Sequence, residues 1–181
     1  MEQNLEHTIS ILSRTPAALD ALLRDLPEKW VLNNEGENTF SPFEVIGHLI
    51  HAEHADWMPR IQTILQHGES RTFESFDRAG HEASTKGRSL GELLDEFARV
   101  RSENLQALRA SNLTAADFER RGRHPAFGVV TLSQLLATWA THDLTHLHQI
   151  SRTMAHQYRE AVGPCIKYLG VLHCDGHSAP A

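Results

Sequence analysis

The sequence predicts an all-α protein, a four-helix bundle with a long crossover between its second and third helices and a short C-terminal helix. Three observations predict it. Apolar residues recur at helical spacing along four long segments, three of those segments open with a capping box, and only one short stretch suggests a β-hairpin. Four amphipathic helices with no sheet to cover bury their apolar faces against one another.

The first helix is expected over residues 2–26, with Leu5, Ile9, Leu12, Leu19, Leu22, Leu23 and Leu26 as its stripe, a bend at Pro16 and an end at Pro27. The second, residues 41–67, opens at Ser41 with Pro42 in its first turn and Glu44 three positions on, and stops before Gly68. Residues 68–88 are rich in Gly, Ser, Arg and Asp and exceed the roughly 12 to 15 residues of an ordinary loop, so they read as a crossover or lid, anchored by Phe73 and Phe76. The third helix, residues 89–111, pairs Ser89 with Glu92 and buries Leu90, Leu93, Leu94, Phe97, Val100, Leu105 and Leu108. A turn or small hairpin is expected near 118–130, where His-Pro and Phe-Gly punctuate the chain. The fourth helix, residues 131–157, pairs Thr131 with Gln134. Beyond Gly163 and Pro164, CIKYLGVL reads as a short packing helix. Residues 1–172 are thus expected to form one domain and 173–181 a flexible tail, in which His173, Cys174 and His177 would bind metal only adventitiously.

At 181 residues the chain is long enough for one substantial core. Its net charge of −6 argues against nucleic acid as a partner, and the basic run RRGRH at 120–124 reads as a solvated loop. Cys165 and Cys174 form no CxxC pair, so neither a disulfide framework nor a cysteine zinc site is encoded. The opening residues lack a signal-peptide pattern and no apolar run approaches the roughly 18 residues that span a bilayer, so a cytoplasmic location without a membrane partner is expected. No GxSxG elbow or phosphate-binding glycine loop is present, and His81-Glu82 is followed by Thr85 where a zinc-protease motif needs its second histidine.

The chemistry concentrates in TWATHDLTHLHQI. His142 and His146 lie four apart, so their Cβ atoms stack about 5 to 6 Å from each other and both rings can reach one ion at roughly 2.0 to 2.1 Å. Such pairs also arise by chance among 13 histidines, and on a surface they usually bind nothing. Helical phase argues for an inward pair: at about 100° per residue, Gln149, Leu135 and Trp139 share their broad face, where unpaired imidazoles are costly. His48, among Val45, Leu49, Ala52 and Ala55 on the second helix, is the third candidate ligand. His51 is expected to support the site or line its pocket, beside Trp139, Asp143 and Gln149, while His54 faces solvent. Asp143 and Glu53 are the nearest carboxylates, but each is displaced from its histidine face and reads as a surface or supporting residue. No catalytic residue is assigned.

These segments resemble the DinB-like metal-binding helical bundles. The resemblance runs through WVLNNEGENTFSPFEVIGHLIHAEHADWMPR, HPAFGVVTLSQLLATWATHDLTHLHQI and GPCIKYLGVL. It implies that His48, His142 and His146 are the three metal ligands, the set that phase also selects, and that the protein is a homodimer. It further implies a divalent transition metal, zinc or nickel, and a small-molecule substrate. Because the family includes thiol-dependent transferases, S-transfer to a small electrophile from a low-molecular-weight thiol is expected ahead of hydrolysis. A non-enzymatic, metal-stabilised stress-response or interaction protein is the alternative, and a fourth protein ligand closing the site would favour it.

Overall fold

The computed structural model describes residues 4–174. Eight α-helices and one hairpin lie among them: α1 Leu5–Leu12, α2 Thr15–Leu23, α3 Glu28–Leu32, α4 Pro42–Ala55, α5 Trp57–His67, α6 Gly80–Thr85, α7 Leu90–Ala110, β1 Arg121–His124, β2 Gly128–Thr131 and α8 Leu132–His156. The four arms of the bundle are α1 with α2, α4 with α5, α7, and α8. All three expected capping boxes form, each with the cap hydroxyl accepting from the N3 amide and the N3 side chain accepting from the cap amide.

Two arms expected to be continuous are broken, and proline is the cause each time. The first breaks at Ser13 and Arg14, because Pro16 has no N–H to offer the Leu12 carbonyl and sits instead in the first turn of α2. The second breaks at Asp56, which closes α4 and precedes α5; Pro59, three residues on, cannot donate to the Ala55 carbonyl. Helix α3, unforeseen, follows Pro27 and buries Val31.

The crossover is more structured than a loop. Thr72 bridges to Arg123, the Phe73 amide donates to the Arg123 carbonyl at 2.9 Å, and the Phe73 ring is buried, so the hairpin gains a third extended neighbour. The hairpin itself is antiparallel, pairing Gly122 with Val130 and Arg123 with Val129. Gly122 lies so close to Ile64 and Phe73 that a Cβ there would fall 2.6 Å from Ile64 Cγ1. The expected C-terminal helix is instead two 3₁₀ turns, Gly163–Tyr168 and Gly170–Leu172, with Leu172 buried. His173 and Cys174 fold back onto the carbonyls of Ile166 and Gly170, whereas His177 lies outside the described residues. Both cysteines are free and exposed. No described helix is long and apolar enough to cross a membrane.

The interior divides into two apolar clusters. One gathers Ile9, Leu12, Trp57, Ile61, Leu105 and Leu136; the other gathers Leu19, Leu23, Ile46, Leu49, Phe97 and Ile150. On α7 and α8 the two sets are separated by an interval that holds Arg101 with Asn104 and His142, Asp143 with His146; on α4 His48 stands among residues of the second set, and Glu53 follows Ala52 of the first.

The break between α4 and α5 leaves a titratable mark. Asp56 pairs with the buried Arg60, but burial outweighs that attraction and pushes its carboxyl from 3.8 up to about 6. Between about pH 4 and 6 the folded protein therefore holds a proton that the unfolded chain has shed, and this group's contribution to stability falls as pH rises through the window. Asp56→Asn cannot titrate, so its unfolding free energy relative to wild type should rise across that window by on the order of 1 to 3 kcal/mol. Urea denaturation at stepped pH measures it; a flat difference would show that Arg60 keeps the carboxylate ionised.

Candidate metal centre

His48 projects from α4 and His142 and His146 from α8. Their Nε2 atoms converge: His48 to His142 and His142 to His146 are each 3.1 Å apart, and the three ligand atoms all lie within 4.8 Å of one another. Three bonds of roughly 2.0 to 2.1 Å in tetrahedral directions would set nitrogens about 3.3 to 3.4 Å apart. The spacing fits a single small cation. The same 3.1 Å separations are also within hydrogen-bond reach of neutral rings in complementary tautomers, so it is the convergence of all three Nε2 atoms that points to an ion.

Burial keeps these rings neutral, which is the form that ligates. It is the main cause of a downward shift in each, taking His48 to about 3, with the neighbouring histidines and Arg78 adding to it, and holding His142 well below its ordinary 6.5. His146 is lowered less, because Gln149 and Asp143 oppose the burial. The His146 Nδ1–H donates to Gln149 Oε1 at 2.7 Å, which fixes the tautomer and turns the Nε2 lone pair inward. The Nδ1 atoms of His48 and His142 are buried without a hydrogen-bond partner among the described residues.

The histidines sit in an aromatic shell. The Trp57 ring meets His142 edge-on at 5.1 Å, Phe76 meets His48 edge-on at 5.6 Å, and Phe40 packs 6.0 Å from His48 and 4.7 Å from His81. Phe76 and His81 belong to the 68–88 segment, so the crossover covers the His48 side. It is held by two glycines: Gly47 of α4 has no room for a side chain beneath Thr85, and Gly80 lies flat against the His51 ring. His51 packs tilted against Phe76 at 4.8 Å and stands outside the converging set.

A groove of about 490 Å³ opens along α8, lined by Gln134, Ala137, Thr138, Thr141, His142 and Thr145. None of these carries a fixed charge. The hydroxyls of Thr138, Thr141 and Thr145 donate to the carbonyls four residues back at 2.8, 2.8 and 2.9 Å, leaving only their acceptor lone pairs and methyls for a ligand.

The two carboxylates correct the surface reading. Glu53 and Asp143 are 1% and 0% exposed, and both are bound by Arg101, itself 1% exposed. Trp139 is buried too, its Nε1–H donating to Glu53 Oε1 at 3.0 Å. Arg101 is the residue that sequence reasoning missed. Its signal was there, since it falls four residues after Phe97 and four before Leu105 on the buried stripe of α7. His54 is exposed, as expected, near Glu96.

A family model described as the DinB superfamily matches residues 11–150. Among solved structures the chain is similar to YfiT from Bacillus subtilis, described as a probable metal-dependent hydrolase with an unusual four-helix bundle topology. The TM-score is 0.71 at 18% identity, over 89% of this chain and 90% of that one, a likeness of fold. No curated protein matches the sequence.

The seat of α6 on α4 generates a prediction. Gly80→Ala would drive a methyl group into the His51 ring, and overpacking of this kind costs about 1 to 3 kcal/mol, more than the helix propensity gained. Urea denaturation should show that loss; equal or greater stability would show that α6 yields freely.

Proposed function

The chain belongs to the DinB superfamily, and from that premise we propose that it is a metal-dependent enzyme acting on a small, uncharged molecule, with His48, His142 and His146 as ligands to a divalent transition metal. The convergence of three Nε2 atoms beside a groove carries this reading. A bound divalent ion would supply Lewis acidity, enough to make water or a thiol nucleophilic at neutral pH. Among the described residues the cluster has three members, which leaves room for a reactant and speaks against a closed structural site.

The chain's own groups do the rest. Gln149 orients His146. Trp57, Phe76 and Phe40 exclude water around the rings. The groove admits an uncharged substrate by methyl contact and offers acceptor oxygens to its N–H or O–H groups. Glu53 and Asp143 are saturated by Arg101, Trp139 and Asn104, so neither is free to take a proton from the nucleophile.

Water is the nucleophile we favour. No fixed positive charge lines the groove to hold an anionic thiol, and the similar fold of YfiT is described as that of a probable hydrolase. Thiol transfer makes the same demands on the metal and differs in its co-substrate, so one assay separates them. Zinc and nickel both suit three imidazoles.

Protein purified without a nickel column or a histidine tag should take up one zinc or nickel ion per chain by elemental analysis, and His146→Ala should lose that uptake. Gln149→Leu should weaken affinity about 10- to 100-fold, as is usual for a group that orients a ligand. Loaded wild type should hydrolyse neutral ester or amide probes faster than the His146→Ala variant. Acceleration only with an added thiol would establish the transferase instead, and no metal uptake would overturn the reading.

A further inference from the structure

Between the two apolar clusters lies a layer of charge. The Arg101 Nη1 donates to the Leu12 carbonyl at 2.8 Å and to Asp143 Oδ2 at 2.5 Å, and Nη2 donates to Asp143 Oδ1 and Glu53 Oε1, both at 2.9 Å. Asn104 Nδ2 donates to Glu53 Oε2 at 2.9 Å, and the Trp139 indole donates to Oε1. Burial pulls the guanidinium down, but its bonds to Asp143 and the two carboxylate charges hold it above its ordinary value.

The charges do not balance. One guanidinium faces two carboxylates, so the cluster carries a formal −1 in the interior, and a buried surplus charge is costly unless an opposite charge lies near. The bonds of Arg101 hold the arms in register, but one carboxylate and one uncharged acceptor would hold them as well, so register does not account for the surplus carboxylate. What lies near is the histidine set. Asp143 follows His142 directly in α8 and its charge acts on His146, Glu53 comes five residues after His48 in α4, and at His142 the Arg101 charge acts in the opposite sense. Three neutral imidazoles bring no charge to meet a divalent ion, and a −1 layer beside them supplies half of what the ion lacks.

We propose that the Arg101–Glu53–Asp143 cluster is the buried counter-charge of the histidine site and sets its affinity for a divalent cation, with Glu53 and Asp143 as positioning residues that never touch the ion. This rests on the reading of the three histidines as a metal site. Its signature is sign. Asp143→Asn and Arg101→Gln break the same ion pair, so a purely structural role would make both loosen the site. As counter-charge they act oppositely: Asp143→Asn takes the layer from −1 to 0, and Arg101→Gln takes it from −1 to −2.

The experiment is competition titration of the full chain with zinc against a chromophoric chelator, beside the melting temperature of the metal-free protein. Asp143→Asn should weaken zinc binding about 10- to 100-fold, the usual effect of an outer partner. Arg101→Gln should tighten it, although both variants melt lower than wild type. The double variant, returned to −1 by Glu53 alone, should bind near wild type. If Arg101→Gln does not fold, Glu53→Gln replaces it and must weaken binding as Asp143→Asn does, with the cobalt(II) absorption spectrum of the site unchanged. Loosening by both Asp143→Asn and Arg101→Gln, or unchanged affinity in every variant, overturns the proposal while leaving the metal site standing. Wild type that takes up no zinc removes the ground of both.

Discussion

The planar fork of Arg101 is the constraint on which the bundle turns. From one residue of α7 it reaches the carbonyl that ends α1, a carboxylate of α4 and a carboxylate of α8, so a single guanidinium ties all four arms. Each bond fixes distance and direction, because the five donors of the fork are coplanar and cannot follow a sliding partner. Apolar contacts alone would tolerate a shift of one arm along another. The fork does not, and breaking it by removing one partner would strand a buried charge, typically a loss of about 3 to 5 kcal/mol. The axial register of α4 against α8 that it enforces is what brings His48 opposite His142.

A second set of contacts closes the structure around that level. The 68–88 segment is fastened at both ends, by Phe73 to the hairpin and by α6 to α4. In the first, a backbone bond and a buried ring fix the chain over Gly122; in the second, Gly47 and Gly80 let two helices approach without side chains between them. Phe76 lies between the fastenings, which is why it can be held edge-on to His48. On α8 the threonine groove runs alongside His142.

Much of this was legible because local rules and tertiary structure agree. Ser41 with Glu44, Ser89 with Glu92 and Thr131 with Gln134 are signals that depend on three or four neighbouring residues, and each marks a true helix start. The histidine set was legible for a related reason: phase on two helices shows which side chains share an inward face. What escaped notice depended on distant partners. Pro59 lies within the span expected as one helix, yet the second arm breaks three residues before it, at Asp56. Arg101, Glu53 and Asp143 each stand at a core position of their helix, where a charge reads as an anomaly or as displaced from its face. Only their meeting across three arms explains all three together. Helix α6 has too few apolar residues to declare itself, and its place comes from the two glycines that seat it.

The tryptophan arrangement gives the molecule an optical property. Trp57 and Trp139 stack with ring centroids 5.8 Å apart and planes 10° from parallel; one touches the His142 ring, and the other donates to Glu53. The third tryptophan, Trp30, lies apart from them, tilted against Tyr158. Two of the three indoles thus view the histidine level from within its own packing, shielded from solvent. Their emission is a native gauge of that interior, sensitive to an open-shell ion seated among the histidines and to any loosening of the charge layer beneath, with no label attached.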